Sequence, residues 1–267
     1  MNIHKEDSSV EGNKHFDVSH HYHSVAEKYD YFFQGKYEGY IPVLMKWLDL
    51  KPSNIVADIG SGTGFIAEHL YELSGLNNPV WCVDPSAIMQ EVAQQRKGLY
   101  PVQKTAEEFF SDPEINQVFD RVVCVGSSHH FVDPVAVYKG ILRSLRPGGF
   151  FIEVNCVEAR HPMFKSAENV FNKYCKDMVK EYPRLLQEMN LQGKIFHQEV
   201  TTSMVAVAKP KLYEMFRCRH MSMFNRLSDE QIEEGINELD NELLKDVKDD
   251  DRISYNYVVL VIKIHLD

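Results

Sequence analysis

The sequence has no long hydrophobic run and little positive charge. None of its apolar stretches approaches the roughly 18 to 20 residues that a membrane helix requires. Residues 1–15 are polar and mixed in charge, with neither the apolar core of a signal peptide nor the Arg-rich pattern of a transit peptide. We therefore predict a disordered leader over 1–15 and a cytoplasmic protein with no membrane partner.

Basic residues are outnumbered, since 29 Lys and Arg face 39 Asp and Glu and give a net charge of -10. Phosphate binding draws most of its affinity from Lys and Arg, so this balance predicts no nucleic-acid partner. Paired metal-type cysteine spacing is also missing. We interpret the five cysteines as reduced apolar residues of a cytoplasmic protein: Cys82, Cys124, Cys156, Cys175 and Cys218.

Strand and helix signals alternate along the chain, which predicts an α/β fold with a doubly wound, mostly parallel sheet. A helix over about 37–50 precedes the first strand. The predicted strands lie near residues 54–59, 79–84, 99–103, 119–125, 149–157, 194–207 and 253–265.

Two helical regions follow the fifth strand. Residues 160–190 predict two helices divided near Tyr182 and Pro183, which form either a lid over a substrate or an extension of the core. A later helix opens at Ser228, whose N-cap is followed by a Gln at N3. One face of that helix is predicted to carry Ile232, Ile236, Leu239 and Leu243.

The most informative segment is residues 56–64, Val-Ala-Asp-Ile-Gly-Ser-Gly-Thr-Gly. An apolar strand ends in three alternating glycines, and an amphipathic helix follows. Residues without a Cβ let a ligand approach the backbone, and the helix N-terminus offers unpaired N–H groups. Asp84 ends the next apolar run, and a carboxylate at that place can accept both hydroxyls of a ribose.

Together these features resemble the class I S-adenosylmethionine-dependent methyltransferases, over about residues 22–155. The match includes Phe-Asp-Arg-Val-Val-Cys-Val-Gly-Ser at 119–127 and Leu-Arg-Pro-Gly-Gly at 145–149. The resemblance implies S-adenosylmethionine as cofactor, and a seven-stranded sheet of order 3-2-1-4-5-7-6 with one antiparallel strand and a helical lid insertion. The implied cofactor-binding residues are Asp58, Gly60, Ser61, Gly62, Gly64, Asp84, Pro85, Met89, Thr105, Ala106, Glu107, Gly126 and Ser127.

We predict one methyltransferase domain over residues 16–267. It divides into N-terminal cap helices (16–50), a cofactor-binding half (51–157), a substrate lid and variable region (158–250), and a terminal strand (251–267). The sequence leaves the oligomeric state open.

Tyr22 and Tyr29 lie in a segment that in many such enzymes folds over the cofactor. They are seven residues apart and share one face of a helix, so they either close the cofactor pocket or pack on the sheet edge. The neighbouring His20, His21 and His23 lack carboxylate or Cys partners at ligand spacing, so we predict no metal.

His129 and His130 are the candidate catalytic bases, because they follow the fourth strand and ligands bind at the carboxyl ends of parallel strands. The alternative is a structural role, in which they hold the loop. Arg217 and Arg219 are candidate substrate-binding residues, since a guanidinium suits a carboxylate; the alternative is a salt bridge within the chain. This region loosely resembles the trans-aconitate type of small-molecule methyltransferase, where an Arg-containing strand or loop precedes a helix and a final strand.

The leading hypothesis is methyl transfer to the O, N or S of a small molecule, and Arg217 and Arg219 favour one that bears a carboxylate. A protein methyltransferase and a non-catalytic S-adenosylmethionine-binding protein are the alternatives. Positioning the acceptor in line with the methyl group supplies most of the catalysis, and a base is needed only for an acceptor that arrives protonated.

Overall fold

The computed structural model describes residues 18–160, 162–189, 195–201 and 205–265. The helices are α1 Val18–Leu48, α2 Phe65–Ser74, α3 Ala87–Gln94, α4 Ala106–Ser111, α5 Pro134–Ser144, α6 Lys165–Glu188, α7 Lys209–Arg217 and α8 Asp229–Asn241, with 3₁₀ helices at Ser128–His130 and Ser222–Arg226. The strands are β1 Val56–Ile59, β2 Val80–Val83, β3 Leu99–Val102, β4 Phe119–Val125, β5 Leu145–Arg160, β6 Ile195–Thr201, β7 Val205–Ala208 and β8 Arg252–His265. The predicted leader, 1–15, lies outside the described residues.

The sheet has the order β3-β2-β1-β4-β5-β8-β6, which confirms the predicted topology, with β8 as the seventh strand. The first five strands are parallel, and β8 is inserted antiparallel between β5 and β6. The single strand predicted near 194–207 is instead two, because β6 pairs with residues 258–264 of β8 and β7 with residues 252–255.

The sheet is buried on both faces, as parallel sheets in α/β proteins are. All four residues of β1 are buried, and helices cover both sides of the strand. The proline in β3, Pro101, is tolerated because β3 is the edge strand and needs fewer ladder hydrogen bonds. The first strand thus ends in the middle of the sheet, between β2 and β4.

Two helix predictions were wrong for the same reason. The helix predicted over 37–50 is the end of α1, which starts at Val18 and continues through Pro42. The two helices predicted on either side of Pro183 are one helix, α6. A proline removes one hydrogen bond, but tertiary packing on both sides keeps the helix continuous: Phe171 and Leu185, before and after Pro183, both pack on the core.

The start of α8 confirms the predicted N-cap. The Ser228 side chain accepts the N–H of Gln231, whose side chain accepts the N–H of Ser228 in return. Ile232, Ile236 and Leu239 are buried as expected, but Leu243 is 64% exposed. The helix ends at Asn241, so the helical periodicity no longer applies, and the following turn buries Leu244 instead.

Within the described part of the chain, no helix combines the length and the apolarity that crossing a bilayer requires.

Candidate functional site

The glycine loop between β1 and α2 is built from left-handed backbone. Gly60, Gly62 and Gly64 have φ values of 70°, 54° and 76°, a region that side chains disfavour. The N–H groups of Gly60 and Ser61 both donate to the carbonyl of Val83, at 2.7 and 3.2 Å. The loop is therefore fixed to the end of β2, next to Asp84.

The three glycines are needed for different reasons. A Cβ on Gly60 would lie 2.3 Å from Ser127 Oγ, and one on Gly64 would lie 2.5 Å from Leu99 Cδ1. On Gly62 the nearest atom would be Tyr29 Cε1, at 3.8 Å, an ordinary contact. Protein packing therefore demands glycine at positions 60 and 64, whereas at position 62 it leaves room for a Cβ in contact with Tyr29.

Asp84 is oriented by backbone hydrogen bonds. Its Oδ2 accepts the N–H of Gly62 at 3.0 Å, and its Oδ1 accepts the N–H of Ser86 at 2.9 Å. Burial raises the pKa of Asp84, and these two N–H groups oppose that rise. Each carboxylate oxygen keeps acceptor capacity for a further donor, so the group fits a diol such as a ribose.

Asp58 is deeply buried in the central strand β1, with 2% of its surface exposed. Burial, and then the charge of Asp84, raise its pKa from 3.8 to about 7. Two carboxyl groups thus lie close to the glycine loop with their ionisation disfavoured, an arrangement that a nearby cationic ligand would relieve.

The predicted adenine-side residues lie beyond β2 and β3. Pro85 is exposed and Met89 is buried on α3. Thr105 caps α4 in a capping box with Glu108, and Ala106 is buried. The carboxylate of Glu107 accepts the N–H groups of Val132 and Asp133, at 2.8 and 3.3 Å, which ties α4 to the loop after β4.

The loop after β4 faces the glycine loop. Gly126 has a φ of 63° and no atom within 4 Å of an added Cβ. The Ser127 hydroxyl donates to the carbonyl of Ile59 at 2.9 Å. The structure therefore brings Gly126 and Ser127 beside the end of β1, at the carboxyl edge of the sheet.

His129 and His130 form the 3₁₀ helix that follows, with ring centroids 3.8 Å apart. His129 lines both internal cavities near this loop, described below; His130 lines neither. Burial, then the charges of His130 and Lys36, lower the pKa of His129 well below 6.5. Its Nδ1 has no hydrogen-bond partner in the described part of the chain, which leaves this nitrogen available to a ligand.

A buried polar network that the sequence did not reveal supports this loop. Tyr138 Oη donates to Glu153, and Asn155 Nδ2 contacts Glu153 Oε1 at 2.5 Å and Ser128 Oγ at 3.0 Å. Ser128 begins the 3₁₀ helix of the histidines. The sequence signal for this network is the presence of two polar residues, Glu153 and Asn155, at alternate positions of an otherwise hydrophobic strand.

The first helix is clamped to the glycine loop. Asp30 accepts the hydroxyl of Thr63 at 2.6 Å and pairs with Arg96, which also donates to the Thr63 carbonyl at 2.8 Å. The Tyr29 hydroxyl contacts the Tyr37 hydroxyl at 2.7 Å. Tyr29 also lies beside the loop, with its Cε1 3.8 Å from a Cβ added at Gly62. Closure of the cofactor pocket by Tyr29 stays a prediction. Tyr22 lies on α1, but its side chain is outside the described part, as are those of His20, His21 and His23.

Two cavities meet at His129. The larger, about 310 Å³, lies between α5, α6 and the second 3₁₀ helix. The smaller, about 50 Å³, lies beneath α1 and reaches Tyr29 and Gly126. His129, Tyr174 and Met223 line both. Helix α6 therefore forms a cavity wall while its buried residues extend the core; a lid motion stays a prediction.

Arg217 and Arg219 are paired with acids of α8. Arg217 donates to both carboxylate oxygens of Glu233, at 2.7 and 2.8 Å, and Arg219 donates to Asp229 at 2.5 Å. Arg217 ends helix α7 instead of lying in a strand or loop, and neither arginine lines the two cavities. The geometry is that of salt bridges within the chain, the alternative stated above.

Among the described side chains, no group of three or more His, Cys, Asp or Glu residues comes together in a metal-binding arrangement.

Comparisons with known proteins agree with this geometry. A family model described as a methyltransferase domain matches residues 57–152. A curated relative, the ubiquinone/menaquinone biosynthesis C-methyltransferase UbiE of Coxiella burnetii, is 26% identical over 179 residues, which are 63% of this chain and 68% of the relative.

Solved structures share the fold. One, described as a methyltransferase from an antibiotic biosynthesis pathway of Anabaena variabilis, has a TM-score of 0.59 at 19% identity and covers 85% of this chain and 96% of its own. Phosphoethanolamine N-methyltransferase 2 of Haemonchus contortus, in complex with S-adenosyl-L-methionine, has a TM-score of 0.53 at 17% identity and covers 91% of this chain and 57% of its own.

The site and the comparisons lead to one conclusion. The unobstructed backbone at Gly62, the oriented carboxylate of Asp84 and the disfavoured ionisation of Asp58 fit a ligand that combines a diol with positive charge. The matched methyltransferase domain covers these same strands and loops. The chain carries a methyltransferase domain of class I fold, and its cofactor is S-adenosylmethionine.

Proposed function

We propose that this enzyme methylates a small molecule that occupies the cavities at His129. The cofactor, when bound, supplies a methyl group activated by a positively charged sulfur. The chain's task is then to hold an acceptor atom in line behind that carbon and to exclude water. In-line positioning contributes roughly 7–11 kcal/mol in comparable reactions.

Each group of site residues has a proposed role. The backbone of Gly60, Gly62 and Gly64 and the carboxylate of Asp58 hold the amino-acid part of the cofactor. Asp84 accepts the ribose hydroxyls. Further cofactor contacts are proposed for Tyr22, Tyr29, Ser61, Pro85, Met89, Thr105, Ala106, Glu107, Gly126 and Ser127.

His129, more than His130, is the proposed base. It alone of the two lines the cavities, and the lowered pKa keeps its imidazole neutral at pH 7. A neutral ring takes a proton from a hydroxyl or ammonium acceptor as the methyl group arrives. A carboxylate, thiolate or carbon acceptor needs no such step at the acceptor atom before transfer.

The half-enclosed shape and the small volume of the larger cavity support a small molecule over a protein as the substrate. The cavity volume of about 310 Å³ lies at the lower end of the range of about 300–1,000 Å³ that is usual for small-molecule sites. A protein substrate would instead need an open cleft for a side chain on a backbone. The name of the curated relatives adds carbon to the O, N and S acceptors considered above.

The deciding experiment is turnover on a metabolite extract. Purified protein and S-adenosylmethionine are incubated with the extract, and S-adenosylhomocysteine and products heavier by one methyl group are followed by mass spectrometry. The matched control is His129→Gln, which keeps the shape of the site. A methylated metabolite that depends on His129 supports the proposal. Turnover on a protein extract alone would overturn it in favour of a protein substrate.

A further inference from the structure

Lys36 is a half-buried cation with no acid beside it among the described residues. Its Nζ lies over the rings of Phe33, Tyr40 and Tyr257, at 5.5, 5.7 and 5.2 Å from their centroids. Among the described residues, the groups whose charge would raise the pKa of Lys36 are the thiols of Cys156 and Cys175, and no carboxylate is one of them. Aromatic faces attract an ammonium group, but they do not neutralise its charge.

This ammonium faces the active site. Lys36 lines the small cavity together with Tyr29, Gly126 and His129. Lys36 also acts electrostatically on the proposed base, because its charge helps to lower the pKa of His129. Burial lowers the pKa of Lys36 itself. An unpaired charge that is partly withdrawn from water is costly, and a bound anion would reduce that cost.

We propose that Lys36 is the receptor for a carboxylate group of the methyl acceptor. This inference rests on the proposed function and names the substrate class: a small aromatic or otherwise planar acid. The carboxylate occupies the cavity of about 50 Å³, and the remainder of the molecule extends past His129, Tyr174 and Met223 into the cavity of about 310 Å³. The tyrosine and phenylalanine rings around the small cavity provide faces for a planar acid.

The cofactor also carries a carboxylate, but the topology favours the acceptor. The glycine loop and Asp84 follow β1 and β2, whereas the neighbours of Lys36 belong to β5 and β8, Cys156 and Tyr257. Strand β4 lies between β1 and β5. With about 4.8 Å between neighbouring strands, the two groups of residues are separated by about 10 Å across the sheet.

The first test uses a charged and a neutral probe of one shape. Benzoate and benzamide are titrated calorimetrically into the full chain saturated with S-adenosylhomocysteine. We expect the wild type to bind benzoate at least about tenfold more tightly than benzamide, as for a hydrogen bond to a charged group. Lys36→Met, similar in volume but uncharged, should abolish the preference, and Lys36→Arg should restore part of it.

The control variant is Lys46→Met, on the same helix. Lys46 lies 5.5 Å from the ring of Trp47 but does not line the cavity, so its loss should leave the preference unchanged. Replacing a partly buried unpaired charge by an apolar side chain is neutral or stabilising, so Lys36→Met should melt no lower than the wild type. A wild type that does not prefer benzoate to benzamide overturns the inference.

The second test separates the two carboxylates. S-adenosylhomocysteine and 5′-methylthioadenosine, which lacks the amino-acid part, are titrated into the wild type and Lys36→Met. If Lys36 serves the acceptor, the ratio of the two affinities is the same in both proteins. A ratio that collapses in Lys36→Met assigns the ammonium to the cofactor and overturns the inference. Neither titration requires turnover, so failure of the proposed function is detected separately, by the extract assay.

Discussion

Gly62→Ala should separate the folding role of the glycine loop from its binding role. The added Cβ meets only Tyr29 Cε1, at 3.8 Å, so it creates no clash inside the protein. It does force a side chain into a backbone with a φ of 54°. We expect the free energy of unfolding to fall by about 1–2 kcal/mol, the cost of a left-handed conformation for a residue with a Cβ.

Gly75→Ala is the matched control. Gly75 ends α2 with a φ of 59° and has no atom within 4 Å of an added Cβ, so its backbone strain is similar. It lies at the far end of α2, away from the cofactor loop. Both variants should therefore lose the same free energy of unfolding in urea denaturation.

Only Gly62→Ala should lose cofactor affinity, because its methyl group fills the space between the loop and Tyr29. We expect its dissociation constant for S-adenosylmethionine to rise about 10- to 100-fold, or roughly 1.4–3 kcal/mol, in isothermal titration calorimetry. Equal affinities of Gly62→Ala and Gly75→Ala would show that no ligand approaches the backbone at this position. Close approach of the cofactor to the backbone of Gly62 would then be refuted.

Four further predictions address other parts of the molecule. Asp84→Ala should weaken S-adenosylmethionine binding by roughly 1.5–3 kcal/mol, and unchanged affinity in calorimetry contradicts its ribose role. Asp58→Asn should remove a pH dependence of stability, because folding raises the pKa of Asp58 from 3.8 to about 7. The wild type should lose up to about 4 kcal/mol of unfolding free energy relative to the variant as pH rises from 4 to 7. Denaturation at several pH values measures this, and parallel stability profiles of the two proteins would contradict it. His129→Gln should lower kcat by about 100-fold or more with cofactor affinity unchanged. Wild-type activity should persist below pH 6.5, because the lowered pKa keeps the imidazole of His129 neutral there. Equal kcat values of the two proteins would assign His129 a structural role. Gly235→Ala places a Cβ 2.2 Å from the buried ring of Phe164 and should cost about 1–3 kcal/mol of stability, whereas an unchanged denaturation midpoint would show that the core rearranges freely.

Local patterns predicted the backbone features whose signals are contiguous in sequence. The glycine loop, Asp84 and the capping residue Ser228 each depend on backbone geometry within a few residues, and the structure has loops or caps at all three. The helix boundaries predicted in two regions were wrong because local propensity is weaker than tertiary packing. Helices α1 and α6 continue through Pro42 and Pro183.

The substrate side could not be predicted in the same way. Lys36 belongs to a helix far in sequence from β5 and β8, and only the fold reveals that none of the described acids lines the cavity with it. The same is true of the contact between Asn155 and Ser128 beneath the histidines. Arg217 and Arg219 stood out in the sequence, yet their partners lie on α8, which is a tertiary arrangement.

The position of β8 in the sheet has a consequence for how the chain is made. This strand fills the gap between β5 and β6, and Phe150 pairs with His265, more than a hundred positions later. During synthesis, the edge of β5 that faces β8 therefore stays unpaired until β8 has been translated. An unpaired apolar strand edge readily forms hydrogen bonds with a strand of another chain. Substitutions that weaken β8 should accordingly reduce the yield of soluble protein through aggregation, while the molecules that do fold retain normal methyl transfer.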